Sequence, residues 1–350
     1  MIKKLLALSP IGFLCATFLV NWLGNWTTVQ ALPPKALSSK SVQPLSQKID
    51  LPFNKVTDGK TLLPNRPVSN QPYDDGRVII GSDDRKPVLS RAYPWSAIGR
   101  LEWQTASGEV ISWCTATLIG EDLLLTNSHC LDRPVVDPRT GQVAVDPNGK
   151  YVTQFTDSQT YQTISDRLIF KPSLINGRSI DKARVVSYRS GWTKNSQNLA
   201  DDWALLKIDQ RLGAANRYGY MGWRTLDFSN FNVQKASADF VRLAGYSGDF
   251  PTDKLREFGQ AGDTAGVDAK CSILNADQGL LSHDCDTNPG ASGGAIFGYF
   301  TDGNYYILGL HAGSNSLQGS VRLPDGVITQ AINRGVQVSQ WSTQALSMRQ

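Results

Sequence analysis

A single serine, Ser292, lies in a glycine-rich stretch near the end of the sequence, residues 284–295, which reads DCDTNPGASGGA. Glycine and proline at this density predict a tight loop, and the apolar run Ala295–Phe297 predicts a buried strand directly after it. Such a loop can present a serine hydroxyl as a nucleophile. The backbone amides of Gly290 and Ser292 are placed to stabilise a developing oxyanion. Taken alone, the stretch is also compatible with a hairpin loop that has no chemistry.

A base and an acid that could activate this serine occur upstream. The chain has three histidines, and His129 follows the apolar run Leu123–Leu125, which predicts a buried strand. An imidazole at this point can act as general base for a serine hydroxyl. Asp202 lies directly before the apolar run Trp203–Ile208 and could orient the imidazole, with Asp201 as the competing acid. Each residue alone has a purely structural reading, but the three together predict a hydrolytic site.

Short strands must position these residues. Sustained helical periodicity is nearly absent before Gln340, where a short terminal helix is predicted, and many short strands favour an all-β barrel or sandwich. Turn signals predict an inserted surface hairpin at 135–151, and the glycine-containing segment 213–224 is the expected seam between two β halves. The predicted strands are Tyr93–Glu102, Val110–Ile119, Leu123–Leu125, Val185–Tyr188, Trp203–Ile208, Ala238–Ala244, Ala295–Tyr299 and Tyr305–His311.

The N-terminus has the features of an export signal. Two lysines precede the apolar stretch Leu5–Val20, and Val29 and Ala31 then have the usual spacing of a cleavage site, which predicts a signal peptide at 1–31. An uncleaved N-terminal anchor is the alternative. We therefore expect an exported protein that is periplasmic, envelope-associated or extracellular.

The next segment, 32–77, is rich in Pro, Ser, Lys, Gln and Asn and predicts a largely disordered pro-segment. Its end at Arg77, before Val78, is a plausible maturation point, although a plain junction between tail and domain is also possible. The net charge of +4 shows no Lys/Arg-rich run, which argues against a dedicated nucleic-acid or membrane-surface binder.

Removal of the signal would leave four cysteines. An even number in an exported chain predicts two disulfides. Three pairings are possible, and we favour the two local ones, each worth about 3 kcal/mol in the loop-entropy model. The spacings lack the close Cys-x-x-Cys form and so argue against zinc. The favoured pairs are Cys114–Cys130 and Cys271–Cys285.

The order His129, Asp202, Ser292 resembles that of the chymotrypsin-like serine endopeptidases. Residues 290–294 (GASGG) resemble the family's Gly-Asp-Ser-Gly-Gly, and residues 202–206 (DWALL) resemble its Asp-Ile-Ala-Leu-Leu. The resemblance implies two antiparallel six-stranded β-barrels, at 78–212 and 213–350, with the active site between them. It also implies hydrolysis of protein or peptide substrates through an acyl-enzyme, by a monomer that needs no metal or organic cofactor.

Further motifs resemble the bacterial glutamyl endopeptidase branch: TNSH at 126–129, VIIGSDDR at 78–85, GYSGD at 245–249 and LGLHAG at 308–313. Ala291 replaces the aspartate that pairs with the new N-terminus in trypsin-like enzymes, so that activation switch is missing here. The branch resemblance instead implies that an ammonium on Val78 lies near the specificity pocket.

Two interpretations of that pocket conflict. By resemblance to the glutamyl branch, Thr287 and His311, with Gly313 nearby, bind an acidic side chain. By resemblance to trypsin, Asp286 occupies the pocket and favours Arg or Lys. We favour acidic substrates. The remaining histidine, His283, is expected to be only a hairpin residue near the site, and a catalytically silent binding module on the same fold is the alternative to an enzyme.

Overall fold

Apolar runs and turn residues divide the chain into short strands, and the predicted all-β class is confirmed. The computed structural model describes residues 57–64, 83 and 85–349, except 106, 132, most of 135–166, 194–197, 239 and 324–327. The strands of the first half are β1 Lys86–Pro87, β2 Ile98–Gln104, β3 Val110–Leu118, β4 Leu123–Thr126, β5 Arg133–Pro134, β6 Thr153–Gln154, β7 Leu168–Pro172, β8 Ala183–Ser190 and β9 Ala204–Ile208.

The second half contains eight further strands and two short α-helices among the described residues. The predicted terminal helix is present as α2. These elements are β10 Gly222–Trp223, α1 Phe231–Ala236, β11 Val241–Gly245, β12 Gly266–Cys271, β13 Ile273–Asp277, β14 Leu280–His283, β15 Ala295–Tyr299, β16 Tyr305–Arg322, β17 Ile328–Gln337 and α2 Ser342–Arg349.

The first half closes into a six-stranded barrel in the order β2-β3-β4-β9-β8-β7. Its central strands β4 and β9 are almost wholly buried because they consist of leucine, alanine and isoleucine with few polar residues. They pair antiparallel, with Thr126 opposite Ala204. The residues that follow β4 and those that precede β9 therefore lie at the same edge of the barrel.

The second half, together with β1 from the first half, forms a nine-stranded sheet in the order β1-β12-β11-β15-β16-β17-β14-β13, with β10 pairing to β16. The resemblance implied six strands here. The difference arises partly because the two-residue strands β1 and β10 add backbone pairing at its margins, a feature that hydrophobic patterning does not reveal. Strand β16 also continues past the predicted end at His311 to Arg322.

One hydrophobic cluster draws side chains from both halves. Trp223 and Trp341 are fully buried within it and meet edge to face, with ring centroids 5.2 Å apart. All described residues fall in one unit, 47–350. No helix within the described ranges has the length and apolar character needed to cross a membrane.

Several predicted features fall outside the described residues: the signal peptide 1–31, most of the segment 32–77, and the junction Arg77–Val78. Most of the inserted hairpin predicted at 135–151 also falls outside them, and the strands that flank it, β5 and β6, pair antiparallel. Residues 57–64 are described, and they form backbone bridges to Tyr220 and Trp223. The sequence of this segment shows no strand periodicity.

Candidate active site

His129 and Asp202 meet at the edge where β4 ends and β9 begins. His129 opens a short 3₁₀ turn, His129–Leu131, three residues after the end of β4. Its Nδ1 lies 2.7 Å from Asp202 Oδ2, and its backbone amide donates to Asp202 Oδ1 at 3.0 Å. The Asp202 carboxylate is buried, with 1 % of the side chain exposed, whereas His129 is half-buried. The carboxylate thus holds both the ring and the backbone of the histidine.

Neighbouring residues fix the backbone around Asp202. The Asn127 side-chain amide donates to the Asp202 carbonyl at 2.7 Å, and the buried Ser128 hydroxyl donates to the Trp203 carbonyl at 2.7 Å. The competing acid, Asp201, offers its backbone carbonyl to Ser128 at 3.2 Å, and burial raises the pKa of its carboxyl. Of the two acids, Asp202 is the one that contacts the imidazole.

The loop that carries Ser292 rests on β3 of the first barrel. The Thr115 amide donates to the Ser292 carbonyl at 2.8 Å, and its hydroxyl donates to the Gly290 carbonyl at 3.0 Å. Gly293 has a φ of 81°, and a β-carbon there would lie 2.2 Å from both Thr115 O and Thr126 Oγ1. Glycine is therefore required at this position for the loop to approach the first barrel.

The backbone amides of this loop fall into two groups. Those of Ala291, Gly293 and Gly294 donate to backbone carbonyls at 3.0 Å or less. Those of Gly290 and Ser292 have no hydrogen-bond partner within the part of the chain that the structure describes. Unpaired amides beside a serine hydroxyl are the arrangement that an oxyanion site requires.

A disulfide places the histidine turn beside the serine loop. Cys114 and Cys130 are bonded, as are Cys271 and Cys285, so both predicted pairs are confirmed. Cys130 Sγ lies 3.9 Å from the Ser292 carbonyl oxygen. Because both sulfur atoms near His129 are in the bridge, they offer no thiolate to a metal ion at this point.

Removing either disulfide is expected to cost about 3 kcal/mol of unfolding free energy, because their separations of 16 and 14 residues are nearly equal. The effect on kcat should differ. The double variant Cys114→Ser/Cys130→Ser is expected to lower kcat roughly 10–100-fold, since it releases the turn that carries His129. Denaturant unfolding and steady-state kinetics measure the two effects.

The matched control is Cys271→Ser/Cys285→Ser, which is expected to lose similar stability with little change in kcat. An equal loss of kcat in both double variants would show that the bridge next to His129 acts only on stability.

The other two histidines lie on the second sheet and contact each other. His283 ends β14 and pairs with Asn333 of β17, while His311 of β16 pairs with Gly335 of the same strand. His283 Nε2 lies 3.2 Å from His311 Nδ1, and Thr287 Oγ1 lies 3.1 Å from His311 Nε2. The structure therefore connects Thr287, His311 and His283 in one row.

Both rings are almost fully buried, with 3 % or less of each residue exposed. Burial lowers the pKa of His283 to about 3. Burial, with smaller contributions from His283 and His129, lowers the pKa of His311 well below its usual range. Both imidazoles are thus neutral near pH 7. The expectation that His283 is only a hairpin residue is incomplete, because β14 and β16 both pair with β17, outside the hairpin, and this brings His283 against His311.

The other predicted pocket residues are placed as follows. The Asp286 amide donates to Asp268 Oδ2 at 2.8 Å, and burial, opposed by this hydrogen bond, raises the pKa of Asp268 to about 6. Gly313 has a φ of 142° and open space where a β-carbon would point. Val78 lies outside the described residues.

A buried guanidinium, that of Arg85, which the sequence patterns did not single out, is connected to the serine loop through Asp249 and Asn288. Arg85 makes two hydrogen bonds each to Asp83 and Asp249, at 2.8–3.0 Å. Burial opposes ionisation of Asp249, but hydrogen bonds from Arg85 and Asn288 outweigh it and lower the carboxyl pKa. Asn288 precedes Gly290 by two residues, so this network links Asp83 and Arg85, just before β1, to the serine loop. The sequence does mark this network, because the motifs VIIGSDDR and GYSGD end in Arg85 and Asp249.

The chain is similar to several known proteins. A solved structure of a Glu endopeptidase in complex with MPD is 21 % identical and covers 77 % of this chain and 98 % of its own, with a TM-score of 0.48. The protease Anisep from Arthrobacter nicotinovorans is 15 % identical and covers 72 % of this chain and 97 % of its own, with a TM-score of 0.42. The family model for the trypsin-like peptidase domain matches residues 114–304. Because this match covers more than half of the 350 residues, the chain belongs to the trypsin-like peptidase family and is a serine endopeptidase.

Proposed function

We propose that the enzyme cleaves peptide bonds on the carboxyl side of Glu or Asp through a Ser292–His129–Asp202 triad. The observation that carries the catalytic part is the 2.7 Å contact between His129 Nδ1 and the buried Asp202 carboxylate. This contact sets the tautomer with the proton on Nδ1 and leaves Nε2 as the base. The exported, precursor-derived state predicted from residues 1–77 belongs to the same proposal.

The steps follow from this tautomer. His129 Nε2 takes the proton of Ser292 Oγ as that oxygen attacks the scissile carbonyl carbon. The amides of Gly290 and Ser292 bind the oxyanion that forms. His129 then gives the proton to the leaving amine, and the peptide C–N bond breaks to leave an acyl ester on Ser292. Water, deprotonated by His129, hydrolyses the ester and restores the serine.

The row of Thr287, His311 and His283 supports the acidic specificity. Its groups are uncharged near pH 7, so the row itself buries no unpaired ion. An entering carboxylate can accept a hydrogen bond from the Thr287 hydroxyl and favours protonation of His311 next to it. The carboxylate and the imidazolium then neutralise each other, an arrangement that an apolar or a cationic side chain cannot reproduce.

A peptide series that differs only in the residue before the scissile bond tests this specificity. With Glu, Gln, Arg and Leu at that position, kcat/KM is expected to be highest for Glu, and Thr287→Val is expected to reduce the preference of Glu over Gln by roughly 10-fold. A preference for Arg would contradict the proposal and assign the pocket to Asp286.

The pH dependence of KM provides a second test of the acidic specificity. Since the His311 pKa is low in the free enzyme and a bound carboxylate raises it, binding takes up a proton. KM for the Glu peptide is therefore expected to rise with pH between the free and bound pKa values, while KM for the Gln peptide stays flat. If KM for the two peptides changed with pH in the same way, His311 would not take part in binding the acidic side chain.

A further inference from the structure

The segment 57–64, upstream of the catalytic domain, pairs with the chain between the two β halves. The Gly59 amide donates to the Trp223 carbonyl at 3.1 Å and the Trp223 amide to the Gly59 carbonyl at 3.0 Å. Leu62 and Tyr220 exchange a second pair of hydrogen bonds at 3.0 and 2.9 Å. We call residues 57–64 the anchor segment. Its backbone is bound as an added antiparallel strand would be.

Side chains of the anchor segment add specific contacts. Asp58 is buried, with 5 % exposed, and its Oδ1 accepts the Thr225 amide at 2.8 Å. The Thr61 hydroxyl donates to the Tyr305 carbonyl at 3.0 Å and accepts the Gly222 amide at 2.8 Å. Backbone pairing alone is insensitive to sequence, but these contacts require an acid and a hydroxyl three residues apart.

The surface that receives the segment matches its backbone closely. A β-carbon on Gly222 would lie 2.1 Å from the Gly59 carbonyl oxygen, and a β-carbon on Gly59 would lie 2.6 Å from the Trp223 ring. The Trp223 indole NH also donates to the Thr57 carbonyl at 2.7 Å. The anchor segment and the segment around Gly222 thus approach each other at distances that only glycine allows on either side.

Arg349, at the end of α2, covers the same surface. Its Nη1 donates to the Lys60 carbonyl at 2.9 Å, and its guanidinium stacks on Trp223 at 4.1 Å and on Tyr220 at 4.7 Å. Burial lowers its pKa to about 10, so it remains a cation near pH 7. It also donates to the Ile119 carbonyl in the first barrel. Arg349 therefore joins the anchor segment, the terminal helix and the first barrel.

The anchor segment lies away from the candidate active site. Its contact at Tyr305 begins β16, whereas His311 lies six residues further along that strand, or about 20 Å away. The backbone hydrogen bonds of 57–64 within the described part of the chain go to Tyr220 and Trp223, not to His129, Asp202 or Ser292. An inhibitory role through occupation of the site is therefore not supported by this position.

We propose that residues 57–64 are a permanent peptide ligand of this surface and stay bound after the chain is cut between them and Val78. The binding site, which we call the anchor groove, consists of Gly219–Trp223, Thr225, Tyr305 and Arg349. The segment predicted as a largely disordered pro-segment then includes a structural strand of the mature enzyme. This proposal does not depend on the triad or on the acidic specificity.

A controlled cut in the full chain tests it. In the Ser292→Ala variant, which prevents self-cleavage, residues 67–72 are replaced by the recognition sequence of a site-specific protease. After cleavage, the fragment that contains 57–64 is expected to co-elute with the body in size-exclusion chromatography. Release of the fragment as freely as from the Gly59→Ala variant would overturn the proposal.

Variants in the anchor segment show how much each contact contributes to retention of the fragment. Gly59→Ala, whose β-carbon meets the Trp223 ring, is expected to release the fragment. Thr61→Val keeps the size of the side chain but removes two hydrogen bonds, and it is expected to weaken retention by roughly 10-fold. Lys60→Ala is the matched control, since the Lys60 side chain is exposed and only its carbonyl is used. Equal retention in all three variants would contradict the assigned contacts.

Measurements of activity distinguish a structural role of the anchor segment from an inhibitory one. In the chain with Ser292 intact, Gly59→Ala and Thr61→Val are expected to lower Tm by about 3 °C or more while kcat/KM for a short peptide stays unchanged. A rise in kcat/KM with unchanged Tm would show that the segment inhibits the enzyme and would overturn the proposal.

Discussion

Replacing Ser292 with alanine is expected to lower kcat by about 10⁶-fold while leaving the fold intact. The hydroxyl is the proposed nucleophile, and the remaining groups cannot form an acyl-enzyme without it. The backbone contact of Ser292, its carbonyl accepting the Thr115 amide at 2.8 Å, is kept by alanine. Peptide hydrolysis and labelling by a fluorophosphonate measure the loss, and thermal unfolding reports on the fold.

Ser314 provides the control for this variant. It lies exposed on β16, three residues after His311, so Ser314→Ala is expected to retain both hydrolysis and labelling. Hydrolysis by the Ser292→Ala variant at the rate of the control would refute the nucleophile assignment. If hydrolysis were lost together with a large drop in Tm, Ser292 would instead be required for folding.

The catalytic candidates could be found in the sequence because each is marked by its immediate neighbours. Ser292 has glycines around it, His129 follows a leucine run, and Asp202 precedes another. These local signals correspond to loop geometry and strand ends, which depend on few residues. The strands β3, β4, β9 and β15 were predictable for the same reason, since their apolar runs are continuous or regularly alternating.

Features that depend on long-range pairing were not predictable. The contact between His283 and His311 requires that β14 and β16 both pair with β17, which starts 17 residues after His311. Strands β12 and β13 contain charged and small residues that hide their periodicity. The ion pair between Arg85 and Asp249 likewise joins residues that are 164 positions apart.

The anchor segment shows a second limit of sequence patterns. Its binding uses backbone hydrogen bonds, a glycine and two polar side chains, with no buried apolar stripe. Composition therefore predicts disorder, because it counts the apolar surface that a segment can bury by itself. Here the receiving surface supplies the aromatic rings, Trp223 and Tyr220, and the segment supplies a backbone narrow enough to fit against them.

Asp202→Asn is the second change with a very large expected effect, a loss of about 10⁴-fold in kcat. The asparagine side chain is nearly the same size, so the barrel edge should keep its packing. An amide NH₂ facing His129 Nδ1 donates a hydrogen bond, however, and therefore stabilises the tautomer whose proton is on Nε2. Nε2 can then no longer accept the serine proton. Steady-state kinetics with a peptide ester and a peptide amide measure the loss.

The neighbouring acid distinguishes this tautomer effect from a general loss of charge. Asp201 carries the same charge one residue away, but only its backbone carbonyl takes part in the network, through Ser128. Asp201→Asn is therefore expected to leave kcat within a few-fold of the parent enzyme, because the imidazole keeps its acceptor.

A proton NMR signal from the Nδ1–H of His129, shifted downfield by its carboxylate partner, should persist in Asp201→Asn and vanish in Asp202→Asn. Loss of kcat in both variants would mean that Asp201 and Asp202 act on His129 through their total charge. Loss in Asp202→Asn alone, together with the NMR change, would assign the orienting role to the carboxylate that contacts the ring.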